Sequence, residues 1–267
     1  MKDETVENLR HVMGTHPVDA PIKQTRLLKP EDSFEVTLED YSTNPYRAMY
    51  SCCAATWGDN KYDSKWEKTS TEGKLAVIQA CLLHKTLPQA KEAVMFTFRI
   101  ARVPRLLFDY HAQSVNHCFF SSQGLRDNNR IDADILMDKF DSEDEEIFKE
   151  LKDLYEFALT DNGSWQSARA FLPQSYCHSY HFGQNLLSII STRGFHASGR
   201  FGKTYKEEKL LMIYKKIAEA ISNKFPLLGL YTSMLWEDKN KVMQQIKNLT
   251  VDTLSESDLK LLNKIEL

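Results

Sequence analysis

From Val94 to Ala101 the chain alternates without a break: Val94, Phe96, Phe98 and Ile100 fall on one parity, and Met95, Thr97, Arg99 and Ala101 on the other. Successive strand side chains point to opposite faces, so this stretch predicts a strand with one continuous apolar face. Such a face must be covered by other elements, which makes this strand the constraint on the rest of the fold. Pro104 ends it. Arg105–Ala112 then reads as a helix, and Ser121, Ser122, Gln123 and Gly124 with Arg126 as a tight, donor-rich loop. Arginines 99, 102, 105, 126 and 130 gather around this strand-helix-loop unit, and a phosphate is the natural guest.

The cover is legible in the helical spacings. Pro45 opens a helix to about Trp57, and Leu75, Ile78, Cys81 and Leu82 mark a second within Glu72–His84, ending before Thr86-Leu87-Pro88. Ser142 to Glu145 reads as a capping box, with Ile147, Phe148, Leu151, Leu154, Tyr155 and Ala158 as one core-facing stripe. Leu210, Ile213, Tyr214, Ile217, Ala218 and Ile221 define a long amphipathic helix stopped at Pro226. Ser33–Leu38, with Phe34, Val36 and Leu38 inward, and Tyr176–Phe182 read as further strands. Gly58–Thr71 reads as a polar loop anchored by Trp66, Gln184–Arg193 as helix, Gly194–Gly202 as a flexible insertion, and the lysine-rich tail as weakly helical through Leu259–Ile265. The fold class expected is α+β: one domain, an antiparallel sheet surrounded by long helices. Residues 1–28 form an N-terminal extension without periodicity, 29–235 the domain, and 236–267 a helical tail.

With 267 residues, 42% hydrophobic and 27% charged, the chain can bury a full core. A net charge of −3 offers no global field for polymer nucleic acid or an anionic membrane. Its apolar runs, such as Leu227–Leu230, fall far short of the roughly 20 residues that span a bilayer. Met1–Arg10 is polar, so no signal peptide is expected. Cysteines 52, 53, 81, 118 and 177 have no paired-ligand spacing, which suits free thiols in a reducing, cytoplasmic setting. In a strand, His178 and His181 point to opposite faces, so no metal site is expected there. No phosphate-binding glycine loop, dinucleotide fingerprint or hydrolase elbow occurs.

Glu92-Ala93 followed by Phe96-Thr97-Phe98, a proline, a helix and a Ser/Arg loop resembles the flavin-dependent thymidylate synthases, whose strand carries E-H-x-x-F-T-F. Ala168-Arg169-Ala170-Phe171-Leu172-Pro173, with Asn185 twelve residues after the proline, is similar to a second family pattern. The resemblance covers roughly residues 34–228. It departs at the hallmark, where Gln113-Ser114-Val115 stand in place of Arg-His-Arg.

The resemblance implies an enzyme that adds a one-carbon group from methylenetetrahydrofolate to C5 of dUMP or a related pyrimidine deoxynucleotide, with FAD and NADPH, as a homotetramer. It implies nucleotide contacts from Arg105, Ser121, Ser122, Gln123, Arg126, Arg169 and Arg193 or Arg200. It implies flavin contacts from His84, Thr86, Gln113, Ser114 and Asn185, and no protein nucleophile or metal. The lost arginines keep open an alternative, a noncatalytic nucleotide-binding subunit or regulator.

Overall fold

A computed structural model describes residues 27–28, 35–56, 62–114, 118–122, 135–136, 142–162, 165–191 and 205–263. The elements in chain order are β1 (Leu27–Leu28), β2 (Glu35–Tyr41), α1 (Pro45–Thr56), α2 (Tyr62–Lys68), α3 (Thr71–Leu82), α4 (Gln89–Glu92), β3 (Met95–Pro104) and α5 (Arg105–Ser114). They continue with β4 (Cys118–Ser122), β5 (Ile135–Leu136), α6 (Ser142–Asn162), α7 (Trp165–Ala168), β6 (Cys177–Asn185), α8 (Leu186–Ile190), α9 (Tyr205–Lys224), α10 (Pro226–Thr232), α11 (Lys239–Asn248) and α12 (Glu256–Asn263). Four strands make one antiparallel sheet in the order β2-β3-β6-β4, so the expected α+β class holds.

The chain divides into two compact units. Residues 1–34, 101–109 and 121–180 form the first; 35–100, 110–120 and 181–267 form the second, including the tail that the sequence sets apart.

In the second unit, Val94, Phe96, Phe98 and Ile100 are completely buried, as the alternation requires. The amide N–H of Leu186 donates to Val94 O at 2.9 Å and that of Ser42 to Met95 O at 3.0 Å, which ties β3 to the β6 and β2 sides of the sheet. Phe182 stacks on Phe98, and Phe225 meets both Phe96 and Tyr41. Behind this face, Ile213, Tyr214, Ile217 and Ile221 of α9 are buried at helical spacing. A Cβ on Gly229 would stand 2.5 Å from Ser222 Cα, so only glycine permits α9 and α10 to approach this closely.

The tail is helical, at Lys239–Asn248 and Glu256–Asn263, and firmly docked. Asp258 is buried and accepts from the Tyr46 hydroxyl, the Leu227 amide at 3.0 Å and Ser255 Oγ at 2.7 Å. Asn44 Nδ2 and Lys74 Nζ donate to Leu261 O and Leu262 O at 2.9 and 2.8 Å, supplying partners for carbonyls left open at the end of α12. Residues 62–68 are helix rather than loop, because Trp66 is buried there under the Lys74 ammonium, 4.5 Å from its ring centre. The expectation of an anchor at Trp66 stands; that of an irregular loop does not.

In the first unit, β1 pairs in parallel with β5. The α6 stripe is narrower than the sequence suggests: Tyr155, Ala158 and Leu159 bury against Ala168 and Leu172, whereas Ile147, Leu154 and Phe157 are exposed. Apolar residues wrap around that helix, and among the described residues the face toward α7 is the covered one.

Candidate functional site

The segment that carries the predicted phosphate site starts with a change of phase in β3. Ile100 and Ala101 are buried in succession, and Arg102 takes a φ of 60°. A left-handed residue inside a strand is the mark of a bulge, which redirects the side chains that follow. The next two helical N–H groups are then satisfied outside the helix: Arg105 donates to Tyr176 O and Leu106 to Gln174 O, both at 3.1 Å. Arg105 grips Asp109 through Nη2 at 3.0 Å and Nε at 3.2 Å, and its guanidinium lies over Phe108. This arginine is therefore half committed before any ligand arrives.

Arg169 differs. Within Ala168-Arg169-Ala170-Phe171-Leu172-Pro173, Ala168 and Leu172 turn inward onto the α6 cluster, while Arg169 is exposed and has no ion pair among the described residues. The sequence pattern thus has a physical basis, two anchors that aim one arginine outward. Ser121 and Ser122 end strand β4 instead of lying in a loop. Gln123, Arg126, Arg130, Arg193 and Arg200 lie outside the described residues, as does the 194–202 insertion.

The predicted flavin residues sit in the second unit. His84 closes α3 with a φ of 57°, and its Nε2 lies 3.5 Å from Tyr231 Oη. Partial burial, then the ammonium groups of Lys91 and Lys239, hold its pKa below the usual value. Lys91 itself is 1% exposed and donates to Cys81 O at 2.9 Å; burial lowers its pKa. Thr86 Oγ1 is buried and meets the Cys81 thiol, a weak partner, without a hydrogen bond of ordinary geometry. Burial and the neighbouring Cys81 thiol push Cys53 up to about 11, so this group of cysteines is protonated at neutral pH.

Asn185 is the last residue of β6 rather than part of a helix beginning at Gln184. The strand continues because Gln184 is drawn into the core, and α8 starts only where Asn185 Oδ1 accepts from the Ser188 amide at 2.7 Å. That cap directs the amide Nδ2 away from the helix. Gln113 is exposed at the end of α5, and Ser114 follows as its last residue. The Thr86 hydroxyl thus has only a weak thiol partner, and the Asn185 cap uses its Oδ1 alone. The basic groups beside the His84 turn are the lysines Lys91 and Lys239.

One constellation escaped the sequence reading. His111, on the last turn of α5, is completely buried, with Nε2 3.2 Å from Tyr214 Oη, and that hydroxyl donates to Gln184 Oε1 at 3.3 Å. A tyrosine hydroxyl has one proton, so its use on Gln184 assigns the Nε2–H tautomer to His111. Burial drives the His111 pKa down to about 3, and Phe120, Phe182 and Tyr214 enclose the ring. The imidazole is thus a neutral tie between α5, β6 and α9, not an acid-base group. The sequence signal was a histidine two residues before the lost Arg-His-Arg position, on the buried side of the helix.

Among the described residues no cluster of histidine, cysteine or carboxylate groups is suited to a metal ion. No helix among them is long and apolar enough to cross a membrane.

No family model and no curated protein matches the chain by sequence. Solved structures do match. The UMP/dUMP methylase PolB from Streptomyces cacaoi, bound with 5-Br dUMP, superposes with a TM-score of 0.60 at 11% identity, over 78% of this chain and 97% of that one. The flavin-dependent thymidylate synthase ThyX from Helicobacter pylori, with FAD and dUMP, gives 0.57 at 14% identity, over 76% of this chain and 100% of that one. The fold of this chain is that of the flavin-dependent thymidylate synthases and of the UMP/dUMP methylase PolB.

Proposed function

We propose that this protein binds a pyrimidine nucleotide and methylates C5 of its ring, with dUMP or UMP as substrate. The observation that carries the reading is the shared fold: proteins that it matches over nearly their whole length are a UMP/dUMP methylase and a thymidylate synthase solved with dUMP. The order of Phe96-Thr97-Phe98, Arg169 and Asn185 along that fold supports it. A nucleoside monophosphate carries a dianion, and arginine forks fix such a group with defined geometry. Arg169, exposed and without an ion pair among the described residues, takes that task, joined by Arg126 and by Arg193 or Arg200, with Ser121, Ser122 and Gln123 as hydrogen-bond donors. Arg105 contributes after release from Asp109.

FAD, with NADPH as reductant and methylenetetrahydrofolate as carbon donor, would supply the redox and one-carbon chemistry. Asn185 Nδ2, Thr86 Oγ1 and His84 would hold the flavin. His84, with its depressed pKa, presents a neutral imidazole at pH 7, and so offers a hydrogen bond rather than a charge. No side chain is assigned as a nucleophile; the protein's contribution is a preorganised set of dipoles and charges around the ring. A homotetramer, with Arg169 acting across a subunit boundary, belongs to the same proposal.

A second reading is favoured by Gln113-Ser114-Val115: without positive charge there, the fold serves as a noncatalytic nucleotide-binding subunit or regulator. One experiment separates the two. Purified protein is loaded with excess FAD, filtered, scanned for the flavin absorbance band, and assayed for tritium release from 5-tritiated dUMP and UMP with methylenetetrahydrofolate and NADPH. Retained flavin with tritium release is the expected result. Nucleotide binding without release favours the regulator, and absence of both overturns the reading. Within it, Arg169→Ala should weaken dUMP binding by about 10- to 150-fold in calorimetry.

A further inference from the structure

The outer side of the sheet in the second unit holds a half-exposed aromatic ring, Phe119. Strand β4 alternates cleanly: Phe120 turns inward onto His111 and Phe182, while Phe119 turns outward and is 47% exposed. The Phe119 ring lies against the backbone of Gly183 so closely that a Cβ there would stand 1.8 Å from its Cε1. Gly183 is thus the seat of the ring. One face of Phe119 is supported by peptide backbone, and about half of the side chain remains open.

What surrounds the ring is polar apart from Met95, which falls opposite Asn185 and is 41% exposed. The Leu186 N to Val94 O bond sets the antiparallel register of β6 on β3, so Gly183 falls opposite Thr97 and His181 opposite Arg99. Asn185, two residues beyond Gly183 on the same side of β6, has its Oδ1 committed to the α8 cap and therefore offers Nδ2 as a donor. An apolar patch made for a protein partner would continue across these positions. Here, besides the Met95 thioether, the supported ring has a hydroxyl, an amide, an imidazole and a guanidinium at neighbouring positions of the same face, which suits a small flat ring with carbonyl and N–H groups at its edge.

We propose that Phe119, seated on Gly183, is a stacking platform for a planar heteroaromatic ring with an imide edge, and that Asn185 Nδ2 and Thr97 Oγ1 face that edge. The inference rests on the nucleotide and flavin reading above and deepens it, since uracil and the pyrimidine part of isoalloxazine share this imide. Stacking on an aromatic side chain is worth about 5- to 150-fold in affinity for one base.

The test uses the full chain. Wild type, Phe119→Leu and Phe119→Tyr are titrated by calorimetry with dUMP and, separately, with FAD, and thermal unfolding is recorded for each. Phe119→Leu should lose about 5- to 150-fold in affinity for at least one ligand, and Phe119→Tyr, which keeps the ring, should stay within about threefold of wild type. Loss for dUMP alone assigns the platform to the nucleobase, and loss for FAD alone to the flavin. Phe119→Trp provides a second measurement should Phe119→Leu unfold: its new fluorescence should be quenched saturably by the same ligand. Wild-type affinity in folded Phe119→Leu, or unquenched Trp emission with ligand bound, overturns the platform and leaves the nucleotide reading intact. A wild-type protein that binds neither ligand overturns the nucleotide reading first, and the platform with it.

Discussion

The two faces of the sheet in the second unit are made of the same strands yet obey different rules. On the inner face, Phe96, Phe98, Ile100 and Phe182 are completely buried, and the polar groups among them, His111, Tyr214 and Gln184, are tied to one another. On the outer face, Met95 and Phe119 are 41% and 47% exposed, and His181 Nδ1 meets Glu39 at 2.8 Å in a largely solvated pair. Inner residues are held by exclusion of water, so that substitution changes stability. Outer residues are held by the backbone beneath them, which leaves their side chains available for binding.

The largest break in that contrast should come from Phe98→Ala. Removing a fully buried ring from the centre of the inner face should cost about 3–5 kcal/mol in urea unfolding. A loss near that of a surface substitution would mean that the inner face is not the core.

The next effect tests the buried histidine. Its folded pKa, about 3, lies below the ordinary value near 6.5, so the unfolded chain takes up a proton that the folded chain refuses. The neutral tie therefore contributes fully above about pH 6.5, and its contribution falls by about 1.4 kcal/mol per pH unit as pH drops toward 3. Between pH 6.5 and 5, wild type should lose about 2 kcal/mol more than His111→Gln, which keeps a hydrogen-bonding side chain but does not titrate. Parallel stability curves for the two would place His111 in contact with water.

The smallest effect belongs to the outer face. Glu39→Gln removes the charge opposite His181 and should change stability by under about 1 kcal/mol, because exposed pairs are screened by solvent. A loss of several kcal/mol would erase the distinction between the faces.

The features legible in the sequence were those set by local periodicity. The alternation from Val94 to Ala101 specified both the strand and its buried parity, Pro45 marked a helix start and Pro226 a helix stop, and the spacing from Leu210 to Ile221 specified the inner side of α9. The Ala168-Arg169 pattern singled out this arginine only by resemblance; that Ala168 turns in while Arg169, Ala170 and Phe171 stand exposed came from the structure. Elsewhere local rules were insufficient. Residues 62–68 read as loop because their polar composition hid one buried tryptophan, and the start of α8 was misplaced because a glutamine at 184 carries no mark of burial.

Sequence by itself determined the class of fold, the parity of its central strand and the candidates for anion binding, because hydrophobic period and backbone chemistry act over a few residues. Only the tertiary structure decided that His111 is neutral and enclosed, since its protonation depends on groups contributed by β4, β6 and α9 from distant parts of the chain. The same holds for Gly183. In sequence it is one glycine between Phe182 and Gln184, and its need to be glycine exists only because strand pairing places the Phe119 ring where a side chain would have to stand.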